Sequence, residues 1–202
     1  MDGARPGKPC CPLYTEGMDQ QLKQIIEEAE RRQSDPELRA AMRLGEIYPT
    51  NIVPILTHQG PELMKWGYSG YKNRIINARS ETALDKAMFR RSLMERRCLV
   101  PASGYYEWQR TRGGSKSGEK YAFYRPGKPL YMAGLWRMEQ NGRLPVFVIL
   151  TRQAAPGLSG IHDRMPVILP EETKELWLSQ DADAGLLMQH PFTDLTFRAV
   201  SV

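Results

Sequence analysis

From residue 51 onward the chain is a series of short apolar runs typical of β-strands, separated by Gly, Pro and Asn. Helices do not alternate with these runs in the regular way that a parallel βαβ sheet requires. The expected strands cover residues 51–57, 62–66, 99–100, 121–124, 130–136 and 146–151. The pattern predicts a single α+β domain with a mostly antiparallel, curved or barrel-like sheet and peripheral helices.

Helices are expected mainly at the two ends of this strand-rich region. Residues 20–32 have apolar side chains at spacings of three and four, and Asp19 is placed to be the N-cap. A second, shorter helix is expected to begin at Pro36, with Ser34 or Asp35 as its cap. Two further helices are expected over residues 82–95 and 171–178.

Composition narrows the classes of function. The net charge of +5 and the pI of about 9.1 favour a polyanionic partner such as nucleic acid, although ordinary solubility charge would also explain them. No apolar run approaches the roughly 18 residues that a membrane span needs, so no membrane association is expected. Three cysteines without paired spacing indicate free thiols in a reducing cytoplasm and no metal site.

Three short polar segments stand out against apolar surroundings, at residues 77–82, 101–108 and 160–166. Each contains one candidate catalytic group, namely the amide of Asn77, the carboxyl of Glu107 and the imidazole of His162. Three such groups from distant parts of one chain suggest a single active site. They lack a nucleophile, for which the candidates near a chain end are Cys10 and Cys11.

The first segment allows a catalytic and a structural interpretation. An amide at the end of a strand, such as that of Asn77, can orient a nucleophile or bind a leaving oxygen. Arg79 comes from the same turn and carries a guanidinium suited to phosphate. Alternatively, Asn77 or Ser80 caps the following helix.

The acid and the imidazole are equally open to two interpretations. Burial among aromatic side chains raises the pKa of a carboxyl and makes it a proton donor near neutral pH, and Glu107 stands between Tyr106 and Trp108. Strand alternation would instead turn the two aromatic residues inward and Glu107 toward solvent. His162 is suited to proton transfer near pH 7. It could also be a structural residue satisfied by its neighbour Asp163 or by the backbone, and Arg164, two positions on, is a second candidate for phosphate binding.

Residues 66–71 form an aromatic, glycine-rich stretch that precedes further basic residues. Exposed aromatic side chains interleaved with bases suit stacking against unpaired nucleobases together with phosphate contacts. The candidates for DNA contact here are Trp66, Tyr68, Tyr71 and Arg74. In the alternative interpretation Trp66 and Tyr68 are core residues and the glycines form turns.

Taken together and in this order, the stretch that begins at Trp66 and the segments 77–82, 101–108 and 162–169 resemble the SOS-response-associated peptidase (SRAP) family. Members of that family shield abasic sites in single-stranded DNA by crosslinking to them. The resemblance runs from about Cys10 to Val202, so residues 10–202 are expected to form the domain. It implies single-stranded DNA with abasic sites as the partner and no metal or organic cofactor. We further expect a cytoplasmic monomer that associates with the nucleoid when bound to DNA.

The family's reactive residue is a cysteine at the mature N-terminus, and its counterpart here is Cys10, with Cys11 a rival one position away. The resemblance implies that the α-amine attacks the ring-opened sugar aldehyde to give a Schiff base, and that the thiol then closes a thiazolidine ring. This chain departs from the family pattern because residues 1–9 precede Cys10 and because Pro12 stands where the family usually has an arginine. An internal Cys10 has an amide nitrogen in place of an amine. Residues 1–9, a disordered leader or a start-site artefact, would therefore have to be absent.

The resemblance also implies roles for the remaining candidates. Asn77 would orient the N-terminal residue, Glu107 would transfer protons during ring opening and imine formation, and His162 would assist proton transfer at the sugar. Arg79 and Arg164 would bind flanking phosphates. Two other classes of function stay open: an autoproteolytic thiol peptidase that removes its own leader, and a non-catalytic single-stranded DNA-binding module.

Overall fold

The computed structural model describes residues 11–14, 19–109, 118–140, 142–179 and 181–200, the first of these ranges as backbone. The strands are β1 Cys11–Tyr14, β2 Gly45–Glu46, β3 Ile52–Thr57, β4 Gly60–Trp66, β5 Asn77–Arg79, β6 Arg97–Ala102, β7 Gly104–Trp108, β8 Lys120–Tyr124, β9 Leu130–Arg137, β10 Val146–Gln153, β11 Arg164–Pro166, β12 Ile168–Leu169 and β13 Thr196–Val200. The α-helices are α1 Gln20–Arg32, α2 Pro36–Ala40, α3 Ala87–Glu95, α4 Lys174–Leu178 and α5 Ala184–Gln189. Two 3₁₀ turns cover Ser80–Thr82 and Glu171–Thr173.

The strands form two sheets. The small sheet has the order β13-β8-β7-β1-β2, and all its pairings are antiparallel. The large sheet has the order β11-β10-β4-β3-β6-β9-β12, and β5 joins it at β10. Because β10 pairs with β4 and also with β9, the large sheet is ring-like without being a full barrel. The predicted α+β class with a mostly antiparallel, curved sheet is confirmed, and the parallel pairings of β10 with β4 and β5 add to it.

Two apolar cores result from this arrangement. The inner core combines side chains of both sheets, such as Trp66 and Phe147 of the large sheet with Tyr105 and Phe123 of the small one. The outer core lies between the large sheet and the helices, where α3 and α4 contribute Phe89, Leu93 and Trp177. In α3, residues 89 and 93 share a face because four positions make about one helical turn. The inner core holds the two sheets together and thereby positions the site described below.

The predicted N-terminal helices are confirmed. In α1 the carboxylate of Asp19 accepts the backbone N–H of Gln21 at 2.7 Å, which is the expected N-cap. In α2 Asp35 caps the helix in the same way and Pro36 is the first helical residue. Capping side chains fix the start of each of these helices, so the sequence alone predicts their boundaries.

The helix expected over residues 82–95 begins later than predicted. A 3₁₀ turn ends at Thr82, whose carbonyl oxygen accepts the backbone N–H groups of Asp85 and Lys86. The α-helix then begins at Ala87 without a side-chain cap. The turn at Thr82 thus provides hydrogen-bond partners for the backbone in a region where a continuous helix was expected.

The later strands are antiparallel neighbours. The apolar segment around Val167 forms two short strands, since β11 pairs with β10 and β12 pairs with β9. β7 pairs with β8, and β9 pairs with β10. Residues 110–117, between β7 and β8, and Asn141, between β9 and β10, lie outside the described residues. None of the helices within the described ranges has the length and apolar character needed to cross a bilayer.

Candidate active site

Glu107 lies on β7 and faces the interior of the protein. Its residue is only 5% exposed, and Tyr105, which shares its face, is stacked on Phe123 with ring centroids 4.9 Å apart. Tyr106 and Trp108 lie on the opposite face of the small sheet and are partly exposed. The interpretation in which Glu107 points to solvent is therefore wrong. Strand alternation holds, but the face that packs inward is the one that carries the acid.

The outer face of β7 is covered by a lysine. The Nζ atom of Lys120 lies 3.8 Å from the ring centroid of Tyr106 and 5.3 Å from that of Trp108. The same Nζ forms an ion pair of 2.7 Å with Glu46 of β2. This cation–π contact explains why the aromatic residues beside Glu107 tolerate partial exposure.

His162 reaches Glu107 from the large sheet. It lies in the loop between β10 and β11, and its Nε2 atom is 3.8 Å from Oε1 of Glu107. The Nδ1 atom accepts the backbone N–H of Arg164 at 3.1 Å and lies 3.5 Å from a carboxylate oxygen of Asp163. The structure thus brings together an acid and an imidazole that are far apart in sequence, and it also shows the local backbone contact expected of a structural histidine.

Asn77 lies on the inner face of the large sheet. Its strand β5 pairs in parallel with β10, where Asn77 is opposite the inner-core residue Ile149. Its Oδ1 atom is buried, and no donor among the described residues reaches it. Neither Asn77 nor Ser80 caps a helix, since the residues at the N-cap positions are Arg79 and Lys86. The capping interpretation is wrong, and Asn77 presents a buried acceptor to the interior between the sheets.

Arg164 is engaged within the protein. Its two terminal nitrogens donate to the two carboxylate oxygens of Glu81 at 2.6 and 2.9 Å, and one of them also donates to the backbone oxygen of Thr151 at 2.7 Å. The hydrogen bonds from Arg164 lower the pKa of Glu81 to about 2. Sequence analysis missed the role of Glu81, since nothing local in the sequence indicates a partner 83 positions away.

Trp66 and Tyr68 are core residues, so the prediction that they stack against nucleobases is wrong. Both are 0% exposed. The indole N–H of Trp66 donates to the backbone oxygen of Ile76 at 3.0 Å, and the hydroxyl of Tyr68 contacts that of Ser92 at 3.3 Å. Their polar atoms are satisfied internally, and their rings contribute to the two apolar cores.

The other candidates for DNA contact lie nearer the surface. Tyr71 is 100% exposed, and Arg79 is exposed on β5 two positions after Asn77. Arg74 is half-buried and donates to the backbone oxygen of Gly67 at 2.8 Å. Tyr71 and Arg79 are therefore accessible to a ligand, whereas the guanidinium of Arg74 is partly committed to the chain itself.

One candidate nucleophile, Cys11, is the first residue of β1, the strand that pairs with the strand of Glu107. In the pairing of β1 with β7, Cys11 is opposite Tyr106. Cys10 lies outside the described residues. Cys98 is fully buried in the inner core, and burial raises the pKa of its thiol well above the ordinary value. Cys98 is thereby excluded as a reactive thiol in the folded protein.

No metal centre is evident in the described part of the chain, where no group of three or more His, Cys, Asp or Glu side chains is arranged to hold an ion. The imidazole of His162 lies within 4 Å of the carboxylates of Glu107 and Asp163. Such acid–imidazole pairs suit proton transfer better than metal ligation.

These features define a class of α+β proteins in which a ring-like mixed sheet and a small antiparallel sheet bring a buried carboxylate next to a partly buried imidazole, beside an N-terminal strand. Residues 10–202 match the model of the SOS response associated peptidase (SRAP) family, and the chain belongs to that family. The resemblance stated from the sequence motifs is thereby confirmed.

Three curated relatives of the chain are each named as an abasic site processing protein. The chain is 35% identical over 140 residues to the abasic site processing protein YoaM of Bacillus subtilis, covering 65% of this chain and 60% of that protein. It is 35% identical over 121 residues to the abasic site processing protein YedK of Escherichia coli, covering 57% and 54%. For the abasic site processing protein HMCES of Rattus norvegicus the identity is 34% over 157 residues, covering 62% and 44%. The matched part of the chain thus spans about half the length of these relatives.

Solved structures share the fold. A protein from Bacteroides thetaiotaomicron has a TM-score of 0.71 at 24% identity and covers 88% of each chain. A phage-related protein from Bordetella bronchiseptica also has a TM-score of 0.71 at 24% identity, covering 95% of this chain and 93% of its own. At this level of identity the likeness concerns the architecture alone.

Proposed function

We propose that this protein binds single-stranded DNA and forms a covalent crosslink to abasic sites through Cys10, once residues 1–9 have been removed. The names of the curated relatives support a role at abasic sites. The observation that carries the proposal is the pair formed by the buried Glu107 and the partly buried His162, 3.8 Å apart, next to the strand that begins at Cys11. The proposal is supported by this pair because an acid and an imidazole are groups suited to the proton transfers that the reaction needs.

The proposed reaction has two covalent steps. The α-amine of Cys10 adds to the aldehyde carbon of the ring-opened sugar, and loss of water leaves an imine. The thiol sulfur then adds to the imine carbon, its proton passes to the nitrogen, and a five-membered thiazolidine ring is formed. An α-amine is suited to the first step because its ordinary pKa, about 7.7 to 8.0, leaves a substantial neutral fraction at neutral pH.

Cys10 is proposed over Cys11 because the resemblance to the family aligns Cys10 with the reactive cysteine. In the backbone pairing of β1 with β7, Cys11 is opposite Tyr106, one position before Glu107. The test below includes both cysteines.

Each site residue then has a role that fits its environment. Glu107 donates a proton to the sugar oxygen as the ring opens and accepts protons as the imine forms. His162, with Nε2 directed toward Glu107, exchanges protons with it during these steps. The buried Oδ1 atom of Asn77 is an acceptor able to orient the amine of the N-terminal residue.

DNA contacts are proposed for the exposed candidates. Arg79 follows Asn77 on the same strand at an interval of two, and its guanidinium would bind a phosphate next to the abasic site. Tyr71 would stack on a neighbouring base, since its ring is fully exposed. Single-stranded DNA fits this arrangement because stacking requires unpaired bases. We also propose a monomer that works in the cytoplasm, at the DNA.

The test uses a form of the protein that begins at Cys10 and an oligonucleotide with one abasic site, analysed on a denaturing gel. We expect a covalent species with the wild type, none with Cys10→Ser, and wild-type yield with the matched control Cys11→Ser. Glu107→Gln should slow crosslinking by about a hundredfold, because a missing general acid or base costs 10²–10⁴-fold, and should leave the affinity for intact single-stranded DNA unchanged.

Other outcomes would select other functions. A wild-type protein that shifts native gels but leaves no covalent species would be a binding module, and the proposal would be wrong. Loss of residues 1–9 during expression, seen as the mass of the purified full chain, would show that the leader is processed. If that loss depends on Cys10 while no DNA adduct forms, the protein is an autoproteolytic thiol peptidase.

A further inference from the structure

Glu81 connects the two segments that contribute Asn77 and His162. It follows β5 in the 3₁₀ turn, and both of its carboxylate oxygens accept hydrogen bonds from Arg164, the first residue of β11. One of them also accepts the backbone N–H of Gln153, the last residue of β10, at 3.2 Å. The carboxylate thereby closes the β10–β11 hairpin at the base of the loop that contains His162.

Arg164 links Glu81 to the imidazole of His162. Its side chain is fixed by Glu81 on one side and by the backbone oxygen of Thr151, 2.7 Å away, on the other. Its backbone N–H donates to Nδ1 of His162 at 3.1 Å. The guanidinium and the backbone of one residue thus join a carboxylate on one segment to the imidazole on another.

The contact from Arg164 bears on which nitrogen of His162 carries the proton. A backbone N–H can only donate, so Nδ1 must offer a lone pair, and the proton of the neutral ring then lies on Nε2. Nε2 is the atom that faces Glu107. Two nearby acceptors favour the other tautomer, in which Nδ1 carries the proton. The carbonyl oxygen of Arg164 lies 3.2 Å from Nδ1, and a carboxylate oxygen of Asp163 lies 3.5 Å from it. A small displacement of Arg164 would therefore let the proton move to Nδ1.

We propose that Glu81 is a positioning residue of the site: by holding Arg164 it keeps the N–H of Arg164 on Nδ1 of His162, and so keeps a proton on Nε2 next to Glu107. The effect of Glu81 on the reaction rests on the function proposed above, but its effect on the ring proton does not. The carboxylate of Glu81 is ionised at neutral pH, since its pKa is held at about 2, so the anchor is present under working conditions.

The ring proton can be observed directly by nuclear magnetic resonance of protein labelled with ¹⁵N at histidine, because protonated and unprotonated ring nitrogens have distinct shifts. The chain has three histidines, and loss of one signal in His162→Asn assigns the relevant ring. We expect wild-type His162 to carry its neutral-form proton on Nε2. In Glu81→Gln we expect a mixture of the two tautomers. The matched control is Glu95→Gln, which removes a carboxylate from an exposed ion pair with Arg91; it should resemble the wild type.

The same variants are then compared in crosslinking to abasic single-stranded DNA. Glu81→Gln should lower the rate by about tenfold with unchanged affinity for intact DNA, because a misplacement of about 1 Å can cost about a hundredfold and a smaller one costs less. If Glu81→Gln fails to fold, Arg164→Lys keeps the backbone N–H but loses the paired hydrogen bonds, and it should give the same mixture of tautomers.

Two results would overturn the proposal. One is a single Nε2-protonated form in the folded Glu81→Gln or Arg164→Lys protein. The other is a lower crosslinking rate without any change in the signals of His162, which would mean that Glu81 acts by another route. A wild-type protein that does not crosslink would refute the proposed function instead, and the spectra would still decide whether Glu81 positions the imidazole.

Discussion

At the scale of single residues, packing partners decide which side chains are buried. Glu107 is buried because its neighbour on the same face, Tyr105, stacks on Phe123 inside the protein. Tyr106 is more apolar than Glu107, but it lies under the ammonium group of Lys120 on the outer face. The polarity of the residues along β7 would therefore predict the wrong faces, with Tyr106 in the core and Glu107 in solvent.

Arg79 supports a residue-scale prediction about DNA binding. Arg79→Ala should weaken binding to any single strand and reduce the slope of log affinity against log salt by about 0.7, since one phosphate contact fewer releases fewer counterions. The measurement is a titration of an intact oligonucleotide at several salt concentrations.

The matched control for Arg79 is Arg91→Ala, which removes an exposed guanidinium from the middle of α3. It should leave the slope as in the wild type. An equal reduction in both variants would point to the overall charge of the protein, and an unchanged slope in Arg79→Ala would exclude a phosphate contact at this position.

At the scale of elements, caps and turns set boundaries. The turn between β2 and β3 is closed by a hydrogen bond of 3.0 Å from the N–H of Asn51 to the carbonyl of Tyr48, with Pro49 second and Thr50 third in the turn. Thr50 has a φ of 78°, a conformation that favours glycine. Its N–H donates to the backbone oxygen of Trp66 at 3.0 Å, so the turn is held against β4 at the cost of strain.

Thr50→Gly tests that strain. The side chain is exposed, so little packing is lost, and glycine avoids about 1–2 kcal/mol of steric cost while adding about 0.5–1 kcal/mol of unfolded-state entropy. We expect the free energy of unfolding, measured with urea, to be unchanged or higher by about 1 kcal/mol. Thr196→Gly, at an exposed position of β13, is the control and should be destabilising. A clear loss of stability in Thr50→Gly would show that the turn is not strained.

At the scale of the whole molecule, β10 organises the site. It pairs with β5, β9, β11 and β4, and so joins the strand of Asn77 to the hairpin that leads to His162. The inner core packs the small sheet, which carries Glu107, against the large sheet. The pairings with β4 and β5 join strands that are distant in the chain.

The ion pair between Glu81 and Arg164 gives a prediction for the stability of the whole molecule. The folded pKa of Glu81, about 2, lies below the ordinary value of 4.5, so the pair stabilises the protein above pH 4.5 and this contribution is lost as the pH falls toward 2. Since the side chain of Glu81 is 46% exposed, solvent screening limits the effect to about 1 kcal/mol or less. The difference in unfolding free energy between wild type and Glu81→Gln should shrink between pH 5 and 2. A difference that stays constant over this range would contradict the shift.

The sequence by itself determined those features that depend on near neighbours. The capped helices α1 and α2, the main strands and the α+β class follow from periodicity and from side chains within a few residues of each boundary. The motifs around Asn77, Glu107 and His162 were sufficient to indicate the family, because each motif is a contiguous run of residues.

Only the tertiary structure decided which of these residues meet and which are buried. It placed Trp66 and Tyr68 in the cores, turned Glu107 inward to within 3.8 Å of His162, and gave Arg164 a partner in Glu81. The physical reason is that burial and pairing depend on contacts between sheets and between strands that are distant in the chain. A local pattern of residues does not contain that information.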